Sequence, residues 1–329
     1  MKHLLLLLAF LACGFASPSW YGALQKENHS SYIGYGSAQS EAQAKQEALN
    51  DIASQISVNI ESSLSQNIKE VDGKVSRVSE DAMKQSAQAT LGDYTLLKSD
   101  FDDGNYFVAL SYENIPSLDK FVRKVKLKGA LDVALGSGYL KNTQIARELN
   151  TALKQELDFA LLRKDAKWFI KHEEILQVLD KKDFAKFFVS VPHAKLSIDT
   201  SKNNNILHDG DTFYFKVKSQ EKGYASILSV YEDGTVSTLV RNIPVKKETK
   251  ENIPAQDFDT MPEASLMQKG VETYDLYVVV YSDKKLLFDN FAYADSELIN
   301  EEKYKNFDEL ITFLEDKTYA TLKVVTKPR

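Results

Sequence analysis

The sequence has one cysteine in 329 residues, Cys13, close to the amino terminus. No intrachain disulfide can form, so packing has to supply the stability. Long apolar runs are also missing. No internal stretch approaches the ~20 residues that a membrane-spanning helix requires. Charge of one sign is not concentrated: 41 basic against 47 acidic side chains leave a net charge of −6. A nucleic-acid surface needs a concentrated positive field, so that class is not expected. The five histidines, His3, His29, His172, His193 and His208, are scattered. They form no His-Glu-x-x-His pair, and no Gly-x-Ser-x-Gly elbow occurs. Catalysis would have to rest on carboxylates brought together by the fold. The expectation is a protein that is not an enzyme and holds no cofactor or metal.

What is present is ordinary globular material, 43% hydrophobic and 27% charged, enough for real cores. At roughly 100–200 residues per domain the length suggests two or three domains. The first residues read as a secretory signal peptide over 1–16. Lys2 and His3 precede the apolar run Leu4 to Leu11, and small residues Ala12, Gly14 and Ala16 follow. Two processing routes stay open. Cleavage after Ala16 releases a soluble periplasmic chain, the favoured reading. Cleavage before Cys13 allows its lipidation and makes an outer-membrane lipoprotein; Ala12 and Gly14 suit that signal, whereas Phe10 and Leu11 do not.

Beyond the signal, Tyr32 to Gly36 reads as a strand leading into a helix. Ser40 with Gln43 three residues on is a capping box. Ala42, Leu49, Ile52, Ala53 and Ile56 then recur at helical spacing. Asp72-Gly73 signals a turn, and Ser79 to Ala89 a second helix. Tyr94 to Ser99 and Tyr106 to Tyr112 read as a hairpin around Asp103-Gly104. Residues 117–188 read as helical, broken at Gly136-Ser137-Gly138. One stripe runs from Ile145 through Leu149, Leu153 and Leu157 to Leu161, and a further helix carries Trp168, Ile175, Leu176 and Leu179. From Phe188 the period switches to two, with turn signals between short strands, which suggests a β-sandwich. Leu276 to Tyr281, almost wholly apolar, suggests a central strand, and polar Lys246 to Pro262 an exposed loop. The predicted class is therefore α+β. It comprises an α+β domain over 17–115, a helical region over 116–187 and an antiparallel β-sandwich-like domain over 188–329.

Several motifs have plainer explanations. Gly34-Tyr35-Gly36 begins like a dinucleotide fingerprint, but Gln39 stands where the third glycine belongs. The expectation there is glycine freeing a tight turn into the helix. Asp100 to Gly104 is acidic enough for calcium, but Asn105 and Ser111 occupy the places of the required Gly and Glu, which leaves the hairpin. His208-Asp209-Gly210-Asp211 reads as a turn rather than a metal site. The basic run Lys120 to Lys128 reads as a solvated helix face with Phe121 and Val125 turned inward. Among 16 Tyr, 17 Phe and 2 Trp, most alternate within strands and belong to cores. Trp20 and Tyr21 stand apart near the mature terminus. With Lys124 and Lys126 they are the candidate partner-binding residues.

Four pieces occur in order: Pro18-Ser19-Trp20-Tyr21, Gly34-Tyr35-Gly36-Ser37-Ala38, the alanine-rich run Ala42 to Ala53, and Asn105 to Leu110. On these the chain resembles the LPP-twenty lipoprotein family, found in spiral gut bacteria and similar to proteins around some flagellar motors. The resemblance implies an exported envelope protein, associated with the surface or the flagellum. Gly210-Asp211-Thr212-Phe213 through Asn242 resembles an uncharacterised β-domain of exported bacterial proteins. The resulting expectation is a non-catalytic scaffold or assembly factor whose partners are envelope proteins, with membrane attachment only through Cys13. The alternative is a module binding an envelope glycan or lipid.

Overall fold

A computed structural model describes residues 17–26, 30–67, 93–128, 138–254, 261–288, 291 and 306–329. The signal segment with Cys13, the helix expected over Ser79 to Ala89 and the break at Gly136 and Ser137 lie outside them. The chain forms two compact units, Met1–Ile115 and Pro116–Arg329.

In the first unit, β1 (Ser31–Ala38), β2 (Thr95–Asp102) and β3 (Asn105–Glu113) form an antiparallel sheet in the order β1-β3-β2. Asp103 (φ 44°) and Gly104 (φ 80°) make the two-residue hairpin turn, the geometry that Asp-Gly favours. Helix α1 (Glu41–Asn67) starts at Ser40, whose Oγ accepts the Gln43 N–H at 3.3 Å. It covers one face of β1 and β3. Its buried stripe is Ala44, Ala48, Ile52, Ala53 and Ile56, packed on Tyr32, Val108, Leu110 and Tyr112. The expected stripe is thereby corrected by two residues at its start: Ala42 is exposed and Ala44 is buried.

The glycine pair also has a different role from the expected turn. Gly34 and Gly36 lie inside β1, where a Cβ on Gly34 would sit 2.0 Å from the Ala48 carbonyl oxygen and one on Gly36 2.0 Å from that of Ala44. Two glycines on the strand facing two alanines on the helix allow backbone to approach backbone.

The second unit is built on a five-stranded sheet ordered β11 (Val236–Val245), β10 (Gly223–Val230), β13 (Thr273–Ser282), β14 (Thr318–Lys327), β8 (Ile206–His208). It is antiparallel except between β14 and β8. Ala225, Ile227, Tyr277, Val279, Leu322 and Val324 line one face. They pack on Leu196, Ile198, Phe215 and Val217 of the sheet formed by β12 (Lys250–Ile253), β9 (Phe215–Ser219) and β7 (Leu196–Thr200). Leu228, Val230, Leu276, Val278 and Val280 line the other face in a second core. Both faces of β13 are covered, which explains its unbroken apolar run. Lys246 to Pro262 is not wholly a loop, because β12 pairs with β9 and buries Ile253.

Residues 116–187 do not form a separate helical region. Helices α2 (Ser117–Lys128) and α3 (Gln144–Leu153) are present, but α3 ends at Lys154 in the left-handed conformation (φ 59°). The stripe expected to continue to Leu161 stops there. The helix expected around Trp168 is instead an antiparallel meander, β4 (Ala160–Lys164), β5 (Lys167–His172) and β6 (Ile175–Val178). Trp168, Ile170 and His172 alternate inward along β5. Tertiary packing decides the case. Trp168 stacks on Phe184 of the short helix α4 (Lys181–Phe184) at 4.7 Å and donates Nε1–H to the Asp233 carbonyl at 2.8 Å. Helix α5 (Phe307–Leu314) and Tyr139 join the same core. The helical and sandwich-like regions thus share one interior.

Candidate functional site

The first unit treats its two sheet edges differently. Along β1, the Ser37 N–H donates to Glu47 Oε2 and the Tyr35 N–H to Asp51 Oδ2, each at 3.0 Å. Gln55 Nε2 donates to the Ile33 carbonyl at 2.8 Å. Glu47, Asp51 and Gln55 are spaced four apart, so one stripe of α1 caps the backbone groups an edge strand leaves open. No equivalent cover is present at β2 among the described residues. Every residue of β2 is exposed, including Leu96 (45%), Leu97 (36%) and Phe101 (62%).

The amino-terminal residues fold onto the sheet face opposite α1. The Tyr21 N–H donates to the Pro18 carbonyl at 2.8 Å and closes a turn. Tyr21 packs edge-on against Tyr35 at 5.3 Å and Phe107 at 5.2 Å. Burial, followed by the charges of Glu47 and Asp51, raises its phenol above the usual range. Trp20 lies against Tyr21 and donates Nε1–H to Asp100 Oδ2 at 2.6 Å, while the Lys98 ammonium lies 5.8 Å from the centre of a Trp20 ring. The four candidate residues therefore divide. Trp20 and Tyr21 belong to the first unit, where Trp20 meets a cation and an anion of β2 and Tyr21 packs on β1 and β3. Lys124 and Lys126 belong to the second and lie exposed on α2, with Phe121 and Val125 buried behind them. Leu127 projects among those lysines, 88% exposed.

Sequence reasoning missed Leu96, Leu97, Lys98, Asp100 and Phe101 as a surface. A signal was available. The run Leu-Leu-Lys-Ser-Asp-Phe puts an apolar residue on each side of the pleat, beside Lys98 and Asp100 on one and Ser99 on the other, the pattern of a strand without one buried face. At the other acidic motif, His208 to Asp211, both carboxylates have partners: Asp209 Oδ1 accepts the Leu266 N–H at 3.3 Å. Asp211 accepts the His208 backbone N–H and Arg329 Nη2, both at 3.0 Å, as a turn residue does. Elsewhere in the second unit, burial, reinforced by Glu232, pushes Asp275 up to about 7.

With this geometry the comparisons can be placed. Residues 18–112 match the family described as LPP20 lipoprotein. That match falls wholly within the first unit and shows a likeness to the family there. Among solved structures, the crystal structure of the secreted protein HP1454 from the human pathogen Helicobacter pylori matches at 19% identity with a TM-score of 0.21. The match covers 39% of this chain and 49% of that one, so the chain spans about half that protein's length. A superposition that loose carries no argument about fold or function. No curated protein matches the chain. The motif pieces named above all fall inside the LPP20 match, and the structure gives them physical roles. Trp20-Tyr21 covers one sheet face, Gly34 and Gly36 admit α1, and Asn105 to Leu110 forms the central strand β3.

Proposed function

We propose that the chain is an exported cell-envelope protein that works without catalysis, by protein–protein contact through the open strand edge of its first unit. The observation that carries this reading is the contrast between the two edges. β1 is capped by α1, whereas among the described residues no strand or side chain covers the outer edge of β2, beside Leu96, Leu97 and Phe101. An exposed apolar edge strand is a template for another chain. The signal-like start and the LPP20 match support the compartment. A photoreactive phenylalanine analogue at Phe101, in protein expressed in its native envelope, tests the contact. Protein adducts are expected there, and none from the same analogue at Gln46, exposed on α1. Absence of any protein adduct at position 101 refutes the reading.

A second reading has one observation of its own. Leu127 projects from a helix face carrying Arg123, Lys124, Lys126 and Lys128, an arrangement suited to an anionic envelope surface. Sedimentation with vesicles containing phosphatidylglycerol checks it. Binding that Lys124→Glu/Lys126→Glu abolishes supports this second reading, and unchanged binding removes it.

A further inference from the structure

We propose that β2 pairs with β2 of a second copy of this chain, antiparallel about a two-fold axis through Ser99, to make one continuous six-stranded sheet. The proposal rests on the protein-contact reading and names the partner.

The hydrogen-bond phase of the hairpin limits the choices. Asp102 faces Asn105 across a two-residue turn, Asp100 faces Phe107 and Lys98 faces Ala109. The closing pair of such a hairpin exchanges its hydrogen bonds, and the ladder then alternates. Lys98, Asp100 and Asp102 therefore direct their backbone groups at β3, while Ser99 and Phe101 direct theirs outward. In an added strand, outward residues must meet outward residues, which leaves few antiparallel registers.

Charge selects among them. An axis on Lys98 sets Lys98 against its own copy, and an axis on Asp100 opposes two aspartates. An axis on Ser99 places each Lys98 opposite the partner's Asp100 and each Ser99 opposite its own copy. Directly opposed unlike charges are a favourable cross-strand combination, and like charges an unfavourable one. Charges on an edge usually repel a second strand; in β2 they are self-complementary. Trp20 holds both in place, with Nε1–H on Asp100 and its ring beneath Lys98. The bulge between Leu96 and Lys98 ends regular pairing at that side.

The opposite edge explains why the assembly would close at two. Joining the β2 strands leaves two β1 edges outermost, and each is capped by Glu47, Asp51 and Gln55 of its own α1. The contact is isologous and stops there, rather than running on into a fibre.

Disulfide trapping in the exported full chain, with Cys13→Ser to remove the native thiol, tests the register. Opposed residues in this pairing lie about 4.5–5.5 Å apart at Cα, inside the roughly 4.4–6.8 Å that a disulfide spans. Ser99→Cys alone should give a covalent dimer under mild oxidation. Lys98→Cys and Asp100→Cys should each stay monomeric, and their mixture should give the mixed dimer. In the Ser99→Cys background, Lys98→Asp should cut the dimer yield severalfold and Lys98→Asp/Asp100→Lys should restore it. Equal self-linking by Lys98→Cys, or no dimer from Ser99→Cys, overturns the proposal. If position 101 crosslinks only to other proteins, self-pairing fails while the contact reading stands; if it crosslinks to none, both fail.

Discussion

Replacing Asp275 with Asn should stabilise the protein at neutral pH, and by an amount that depends on pH. Asp275 lies in β13 immediately before Leu276, with Glu232 two residues beyond the end of the neighbouring strand β10. Burial first, and the Glu232 charge second, raise its carboxyl from 3.8 to about 7. Glu232 is itself buried and ion-paired with Lys181. Between those two pH values the folded chain holds a proton that the unfolded chain has released. Stability therefore falls as pH rises from about 4 through about 7. A shift of about 3 units at about 1.4 kcal/mol per unit sets a ceiling near 4 kcal/mol. The side chain keeps partial access to water, so a loss of about 2–4 kcal/mol is expected. Asparagine has nearly the same shape and carries no charge at any pH. Urea unfolding of both proteins at pH 4, 5.5, 7 and 8 isolates the effect, because Glu232, Lys181, Lys323 and the tyrosines Tyr231, Tyr274 and Tyr277 are common to both. The two stabilities should nearly coincide at pH 4 and diverge above it, with Asp275→Asn the more stable. A pH-independent difference, or a less stable variant at pH 8, would refute the reasoning.

Two other substitutions test packing. Asp183 accepts Ser117 Oγ–H at 2.6 Å and the Leu118 N–H at 2.9 Å, and pairs with Lys186 at 2.7 Å. Asp183→Ala strands those donors and should cost about 3–5 kcal/mol in urea unfolding. Burial alone would raise its carboxyl, but Lys186, Ser117 and the Leu118 N–H outweigh burial and lower it. Its contribution is thus complete above the ordinary aspartate range and lost as pH falls through the lowered value; a loss under about 1 kcal/mol at pH 7 would rule this account out. Gly36→Ala drives a methyl to 2.0 Å from the Ala44 carbonyl. It should destabilise the first unit by about 3 kcal/mol or more, read by urea-dependent hydrogen exchange of the β1 and β3 amides, and an unchanged midpoint would show that α1 moves away freely.

Local pattern alone was enough for the first hairpin, the start of α1 and the central strand β13. Asp103-Gly104, Ser40 with Gln43, and the apolar run Leu276 to Tyr281 each specify their conformation through interactions within a few residues or through burial on both faces. The four motif pieces in order, from Pro18-Ser19-Trp20-Tyr21 to Asn105–Leu110, likewise carried the family likeness before any packing was visible. Residues 160–178 were misread because Leu161, Trp168, Ile175 and Leu179 also fit a helical spacing. Whether such a run winds or extends was decided by where Trp168 could stack and donate its N–H, against Phe184 and Asp233. Gly34 and Gly36 read in sequence as a turn into the helix rather than as a close approach, since the atoms that exclude a side chain there belong to Ala44 and Ala48 on another element. The open edge of β2 is of the same kind. Its residues are written in the sequence, but which strand is left without a neighbour depends on which faces the helix and the amino-terminal turn happen to cover, and that is a property of the folded chain.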